Sequence, residues 1–277
     1  MEKFIQPNHL WLEVTNRCNG NCIFCGRQYI DELHDMDFNL YKKIINSCPT
    51  AKIVQPQGVG EPLMYPHIIE AVSYARRKGK NVVFYTNASL LDSSMAERLL
   101  DVGLNRIIFS VDECTKKGYE TLRRGLKWKT VLGNIKRFEK LKKKGGYKTK
   151  TLIRMTRTKE NRSRMQEIVA FWRGIVSSVV VRPEVYIPPP NVLRENKYSS
   201  EKPIKCKRVS QHLSVKSNGD VVLCCRDWFN VYLMGNLNDK GILDVFNGEK
   251  FNEVRNSMAK GLNYPSICKY CKVSPRR

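Results

Sequence analysis

The chain has 277 residues, room for one barrel-sized domain plus a small appendix, and its 42% hydrophobic content excludes a disordered chain. Its opening Met1-Glu-Lys-Phe-Ile5 lacks the apolar run of a secretory signal, and stretches such as Val179–Val181 are too short for a bilayer. The expectation is a cytoplasmic protein with no membrane span, in which ten cysteines read as metal ligands before disulfides.

Net charge is +23 and is spread along the chain. Residues 204–277 hold 13 basic and 6 acidic residues (+7), leaving 36 and 20 (+16) in residues 1–203. The densest run includes Lys140, Lys142, Lys143 and Lys144 before Gly145-Gly146, where a solvated helix C-terminus suffices as an explanation. An anionic partner is the functional alternative: a phosphorylated small molecule, an acidic peptide, nucleic acid or an anionic membrane surface.

Taken in chain order, strand-like runs fall at 9–15, 52–57, 81–86, 106–111, 149–156 and 178–186. Helical patterns fall between them at 38–48, 66–78, 93–101, 129–144 and 162–172. Such alternation predicts a parallel sheet with right-handed crossovers, and six repeats fit an α/β fold, a partial (β/α)6 TIM barrel. Ligands then gather at the C-terminal ends of the strands. Ile187-Pro-Pro-Pro-Asn191 is a stiff break, and the polar stretch after it sets the expected boundary: a barrel over 1–203 and a small C-terminal domain over 204–277. In that tail, a hairpin around Ser217-Asn-Gly-Asp220 precedes a helix at 248–260 and a closing C-x2-C.

Directly after the first strand stands Glu13-Val-Thr-Asn-Arg-Cys-Asn-Gly-Asn-Cys-Ile-Phe-Cys25, a C-x3-C-x2-C spacing of Cys18, Cys22 and Cys25. Soft thiolates select iron–sulfur or zinc centres, and three of them fill three corners of a [4Fe–4S] cube. No fourth cysteine is near, so one iron is left open, and His9 and His34 fit no zinc spacing. With Phe24 in the aromatic position, the segment resembles the C-x3-C-x-aromatic-C motif of the radical S-adenosylmethionine (SAM) enzymes, whose core fold is the partial barrel.

The resemblance implies further roles. Gly60-Glu61-Pro62 stands where the family carries Gly-Gly-Glu-Pro, which binds the SAM amino group, although Val59 replaces the first glycine. Ser110 and Asp112 alternate to one side at the end of strand four, a ribose-binding position in the family; the alternative for Asp112 is a helix cap. Arg154 offers a planar fork for the methionyl carboxylate, or else faces solvent. The family's Thr-Asn-Gly tip reads Thr86-Asn87-Ala88 here.

Cys206, Cys224, Cys225, Cys268 and Cys271 crowd the tail. The spacing of Cys206, Cys224, Cys268 and Cys271 resembles a shortened SPASM, or twitch, domain that binds one auxiliary [4Fe–4S] cluster, with a zinc ribbon as the alternative. Neighbouring strand residues face opposite ways, so one of Cys224 and Cys225 reaches the cluster; the resembled family's spacing implies Cys224, which leaves Cys225 as an apolar filler. The resemblance thus implies two [4Fe–4S] clusters, SAM, a flavodoxin- or ferredoxin-type reductant and a small-molecule or peptide substrate. It also implies reductive SAM cleavage to a 5′-deoxyadenosyl radical, then two-electron oxidation of a secondary alcohol on a sugar-like or phosphorylated molecule. The competing readings are an epimerase that uses Cys114 as hydrogen donor, and modification of a ribosomal peptide.

Overall fold

The protein is described by a computed structural model over residues 5–184, 186–195, 198–199 and 206–271. Six parallel strands alternate with helices: β1 (His9–Leu12), α1 (Phe38–Ser47), β2 (Ile53–Pro56), α2 (Ile68–Arg77), β3 (Asn81–Thr86) and α3 (Ser93–Asp101). Then come β4 (Arg106–Ser110), α4 (Lys116–Leu122), α5 (Trp128–Lys144), β5 (Lys150–Arg157), α6 (Met165–Arg173) and β6 (Val179–Pro183). The tail adds β7 (His212–Val215), β8 (Asp220–Val222), β9 (Leu233–Asn236) and α7 (Glu249–Lys260). Among the described residues these nine strands form one sheet, ordered β9-β8-β7-β1-β2-β3-β4-β5-β6, beside two short two-stranded ribbons.

Every pairing from β7 through β1 to β6 is parallel, as strand–helix–strand crossovers require, and β7, β8 and β9 close the edge as antiparallel ribbons. The partial (β/α)6 barrel is therefore present, and the expected hairpin sits at the β7–β8 turn. Period-two alternation sorts the two faces of the sheet. Leu10, Leu12, Val54, Val82, Phe84, Ile107, Phe109, Ile153 and Met155 are fully buried in one core with Tyr41, Ile44, Val72, Leu99 and Phe138 from the helices. The opposite face carries His9, Trp11, Gln55, Tyr85, Ser110 and Arg154, a polar lumen that is partly open.

Helix starts follow local chemistry. Asp37 and Asp92 accept from the Leu40 and Met95 amides to cap α1 and α3. Thr115, not Asp112, accepts from the Gly118 amide to cap α4. The sequence reading missed α4, because seven residues containing a glycine leave only Tyr119 and Leu122 as an apolar signal. Pro190 opens a short helix, Pro190–Glu195, where the missing N–H costs nothing. The expected domain boundary at 203/204 lies outside the described residues. Among the described residues no helix is long and apolar enough to cross a membrane.

Trp172 anchors the far side of the barrel: it is fully buried, edge-on to Trp128, and its indole N–H donates to the Glu113 carbonyl at 2.9 Å. Trp172→Ala should lower unfolding free energy by about 3–5 kcal/mol. Denaturant titration checks this, and a loss below about 1 kcal/mol would contradict the packing described.

Candidate active site

The segment joining β1 to the three cysteines is fastened at both ends. Asn16 donates to the Glu32 carbonyl at 2.8 Å and accepts from the His34 amide at 2.7 Å. Within the loop the Gly20 N–H points at Cys18 Sγ at 3.4 Å, and a turn closes with the Cys25 amide on the Cys22 carbonyl at 3.0 Å. Asn21–Cys22 pairs with Arg123–Arg124, so the middle cysteine sits on a small ribbon. Burial pushes Cys18 up to about 11 and Cys22 above its ordinary value, and a cation that binds these thiols displaces their protons. The charges of Cys22 and Cys25 act on Cys18, although among the described residues no three metal-ligating side chains already stand at metal-bonding distance. A backbone N–H directed at sulfur, a soft three-thiol set and one shared neighbourhood fit an iron–sulfur centre.

Gly60 is where the β2 loop meets the cysteine loop. A Cβ there would lie 2.4 Å from the Thr15 carbonyl oxygen and 2.6 Å from that of Arg17, and the Glu61 amide donates to Arg17 at 2.8 Å. Only glycine permits that approach. Glu61 is buried, and its oxygens accept from Thr86 Oγ1 (2.7 Å), the Leu63 amide (3.1 Å) and the Asn87 amide (2.6 Å). Pro62 opens the short turn Pro62–Met64 beneath it. Burial pushes Glu61 up to about 7 against those three donors. The carboxylate thus ties the β2 loop to the tip of β3, and an ammonium brought beside it would favour its charged form. Ala88, at the family's glycine position, takes φ = 62°, which accounts for glycine as that tip's usual occupant.

Asp112 is fully buried and committed. One oxygen receives Arg123 Nε (2.7 Å) and Nη2 (2.6 Å), and the other accepts from the Thr156 amide at 2.6 Å. Half-buried Ser110 is the more open of the expected ribose pair. Arg154 lies opposite Ser110 in the β4–β5 register; it donates to the Tyr85 hydroxyl at 3.2 Å, and its charge reaches Cys225. Cys114 is drawn elsewhere: Arg164 donates to its sulfur at 3.5 Å, Glu167 lies at 3.6 Å, and burial pushes it up to about 11. Both partners precede or open α6. None of the described polar contacts of Cys114 is with the three-cysteine loop.

In the tail, Cys224 and Cys225 follow β8 into a loop that Asp227 holds by accepting from the Val231 (2.9 Å) and Tyr232 (2.8 Å) amides. A turn from the Cys271 amide to the Cys268 carbonyl closes the final pair at 3.1 Å. Arg208 donates to Cys225 Sγ at 3.2 Å and lies within electrostatic reach of Cys225, Cys224, Cys271 and Cys206. Four of the five tail cysteines therefore neighbour a single cation. Trp228 and Phe229 press on the other centre: a Cβ on Gly26 would lie 2.7 Å from Trp228. Lys216 Nζ also crosses between the two parts, pairing with Glu13 at 3.2 Å, and Glu13 in turn accepts from the Val59 amide at 2.9 Å.

Sequence reasoning missed Arg123, Arg208 and the Glu13–Lys216 pair. Their side chains act across long separations, and no local spacing announces them. Gly60→Ala should forbid the close approach of the two loops and reduce SAM affinity at least about tenfold, some 1.4 kcal/mol. Equilibrium binding to the iron-loaded protein measures it, and wild-type affinity would contradict the role given to Gly60.

A profile described as the radical SAM superfamily matches residues 12–171, and one described as an iron–sulfur cluster-binding domain, SPASM, matches 206–272. The "tungsten-containing aldehyde ferredoxin oxidoreductase cofactor-modifying protein" of Pyrococcus furiosus is 26% identical over 96% of this chain and 87% of its own. The fold is shared with BtrN in complex with AdoMet and 2-DOIA (TM-score 0.64, 19% identity, 99% of this chain and 95% of that one). It is also shared with Streptococcus suis SuiB bound to the precursor peptide SuiA (TM-score 0.71, 17% identity, 97% and 72%). The first match spans more than half of the chain and contains Cys18, Cys22, Cys25 and Glu61; the chain belongs to the radical SAM superfamily, with a [4Fe–4S] cluster and SAM in its barrel and further iron–sulfur in a SPASM tail.

Proposed function

We propose that the protein oxidises a secondary alcohol on a small, hydroxyl-bearing substrate by two electrons, with the barrel over 1–203 and the tail over 204–277 as its two working parts. When bound, SAM and its cluster supply a 5′-deoxyadenosyl radical that removes a substrate hydrogen atom, and the tail iron–sulfur supplies an electron acceptor. Cys18, Cys22 and Cys25 hold the first centre; Cys206, Cys224, Cys268 and Cys271 hold the second.

The observation that carries this reading is the contact of the tail with the cysteine loop. Trp228 and Phe229, three and four residues after Cys225, pack against Gly26 next to Cys25, so the tail thiols stand close to the rim where a substrate would sit. Arg154 and Tyr85 orient SAM or substrate from the lumen face, and Ser110 adds a hydroxyl. The partners of Cys114 on and before α6 favour oxidation over an epimerase that would need this thiol facing the lumen. His9 and His212, stacked at 4.4 Å on the lumen side of β1 and β7, are held neutral by burial, at about 4 and 3. The SAM-binding centre needs one electron per turnover, which a flavodoxin- or ferredoxin-type carrier would deliver.

Cys268→Ala with Cys271→Ala should leave SAM cleavage in place and abolish product, as followed by 5′-deoxyadenosine release and product mass; normal turnover would remove the tail from the electron path. Reaction in D₂O discriminates further. Oxidation yields a product two hydrogens lighter with no deuterium at the reacting carbon. A singly deuterated, unoxidised product lost in Cys114→Ala would establish epimerisation instead, and a mass change confined to an added peptide would establish peptide modification.

A further inference from the structure

The ribbon that carries Cys22 is bound by one buried side chain. Arg123 pairs with Cys22 through the backbone, and its Nη1 points at Cys22 Sγ at 3.7 Å. Its guanidinium also lies 5.5 Å from the centroid of the Phe24 ring. The other two nitrogens, Nε and Nη2, are consumed by one oxygen of Asp112, whose second oxygen is fixed by the Thr156 amide on β5. The Asp112 carbonyl is held as well, by Asn161 Nδ2 at 2.9 Å. A guanidinium clamped this way has little freedom to turn its last edge from the sulfur.

A second group converges on the same place. The Tyr119 ring is fully buried one turn before Arg123, and its hydroxyl has no hydrogen-bond partner among the described residues. It lies within electrostatic reach of Arg123, Cys22, Asp112 and Glu61. A buried hydroxyl without a partner is destabilising, so its position calls for an acceptor. A sulfur-rich, negatively charged group held by Cys22 supplies one.

We infer that Arg123 is a positioning residue for the first cluster, fixing its Cys22 arm, and that with the Tyr119 hydroxyl it makes that cluster easier to reduce. Reduction adds one negative charge, and N–H or O–H donors facing the sulfurs stabilise the reduced form more than the oxidised one. Asp112 opposes the guanidinium charge, but it does so from Nε and Nη2; Nη1 is the edge presented to sulfur. The role is independent of which substrate the enzyme takes.

The test is a redox titration of the anaerobically reconstituted full chain, followed by electron paramagnetic resonance. The first cluster is recognised as the signal that SAM perturbs. Arg123→Met should lower the reduced-to-oxidised ratio about tenfold at fixed poise, about 59 mV for one electron. Arg123→Lys should recover part of it, and Tyr119→Phe should lower the ratio roughly two- to threefold, a fraction of that same shift. A scaffold role alone would lower iron content but leave the potential of the retained cluster unchanged. If Arg123→Met does not retain iron, Arg123→Lys and Tyr119→Phe decide: wild-type potential in both overturns the inference, and a lowered potential in either supports it.

Discussion

A buried ion pair holds the centre of this barrel together. Arg123 and Asp112 are almost wholly removed from water, where each charge alone would be costly and removal of one partner typically costs about 3–5 kcal/mol. The pair is therefore an obligation as much as a bond: the end of β4, the start of β5's exit and the cysteine loop must arrive together for either charge to be satisfied. Asp112 reaches the Thr156 amide, and Arg123 reaches the Cys22 ribbon. What would otherwise be three independent loops at the strand ends becomes one rigid rim.

A similar economy joins the tail to the barrel. Glu13 sits at the end of β1, accepts from Val59 in the loop that carries Gly60 and Glu61, and meets Lys216 at the end of β7. Gly58 has no room for a side chain because the Glu13 carboxylate occupies that space, 2.1 Å from where a Cβ would stand. On the opposite side, Gly26 admits Trp228 and Phe229 against the cysteine loop. The tail thereby touches the cysteine loop directly and reaches the Gly60–Glu61 loop through Glu13. Displacement of the tail would disturb radical generation as well as whatever its own iron does.

Much of this was legible in the sequence, and the reasons are local. Asn81–Thr86 and Ser93–Asp101 have the bounds read from their periodicity, and the Asp92 cap that the structure adds lies next to the second in sequence. Cys18, Cys22 and Cys25 were visible because metal chemistry fixes their spacing. The same reading gave Asp112 to ribose or to a helix cap; Thr115 makes the cap, and Asp112 binds Arg123, eleven positions on, which no local pattern announces. Cys225 was set aside as an apolar filler, yet Arg208 donates to it. Such pairs arise where the chain folds back, and neither residue carries a pattern that names the other. The Val59 and Ala88 departures were visible too, but only backbone angles explain the second.

The pairing of β7 with β1 has a consequence for how the chain reaches this state. Glu13 and Lys216 are 203 positions apart, so β1 is synthesised long before the strand that covers its outer edge. At typical translation rates of about 5–20 residues per second, that edge stays open for at least ten or so seconds. An uncovered edge presents unpaired amides and carbonyls to any other nascent strand. The late arrival of β7 also makes the topology one of high contact order, which slows folding. A chaperone that shields the β1 edge until residue 215 emerges would raise the yield of folded protein more than one acting on the helices.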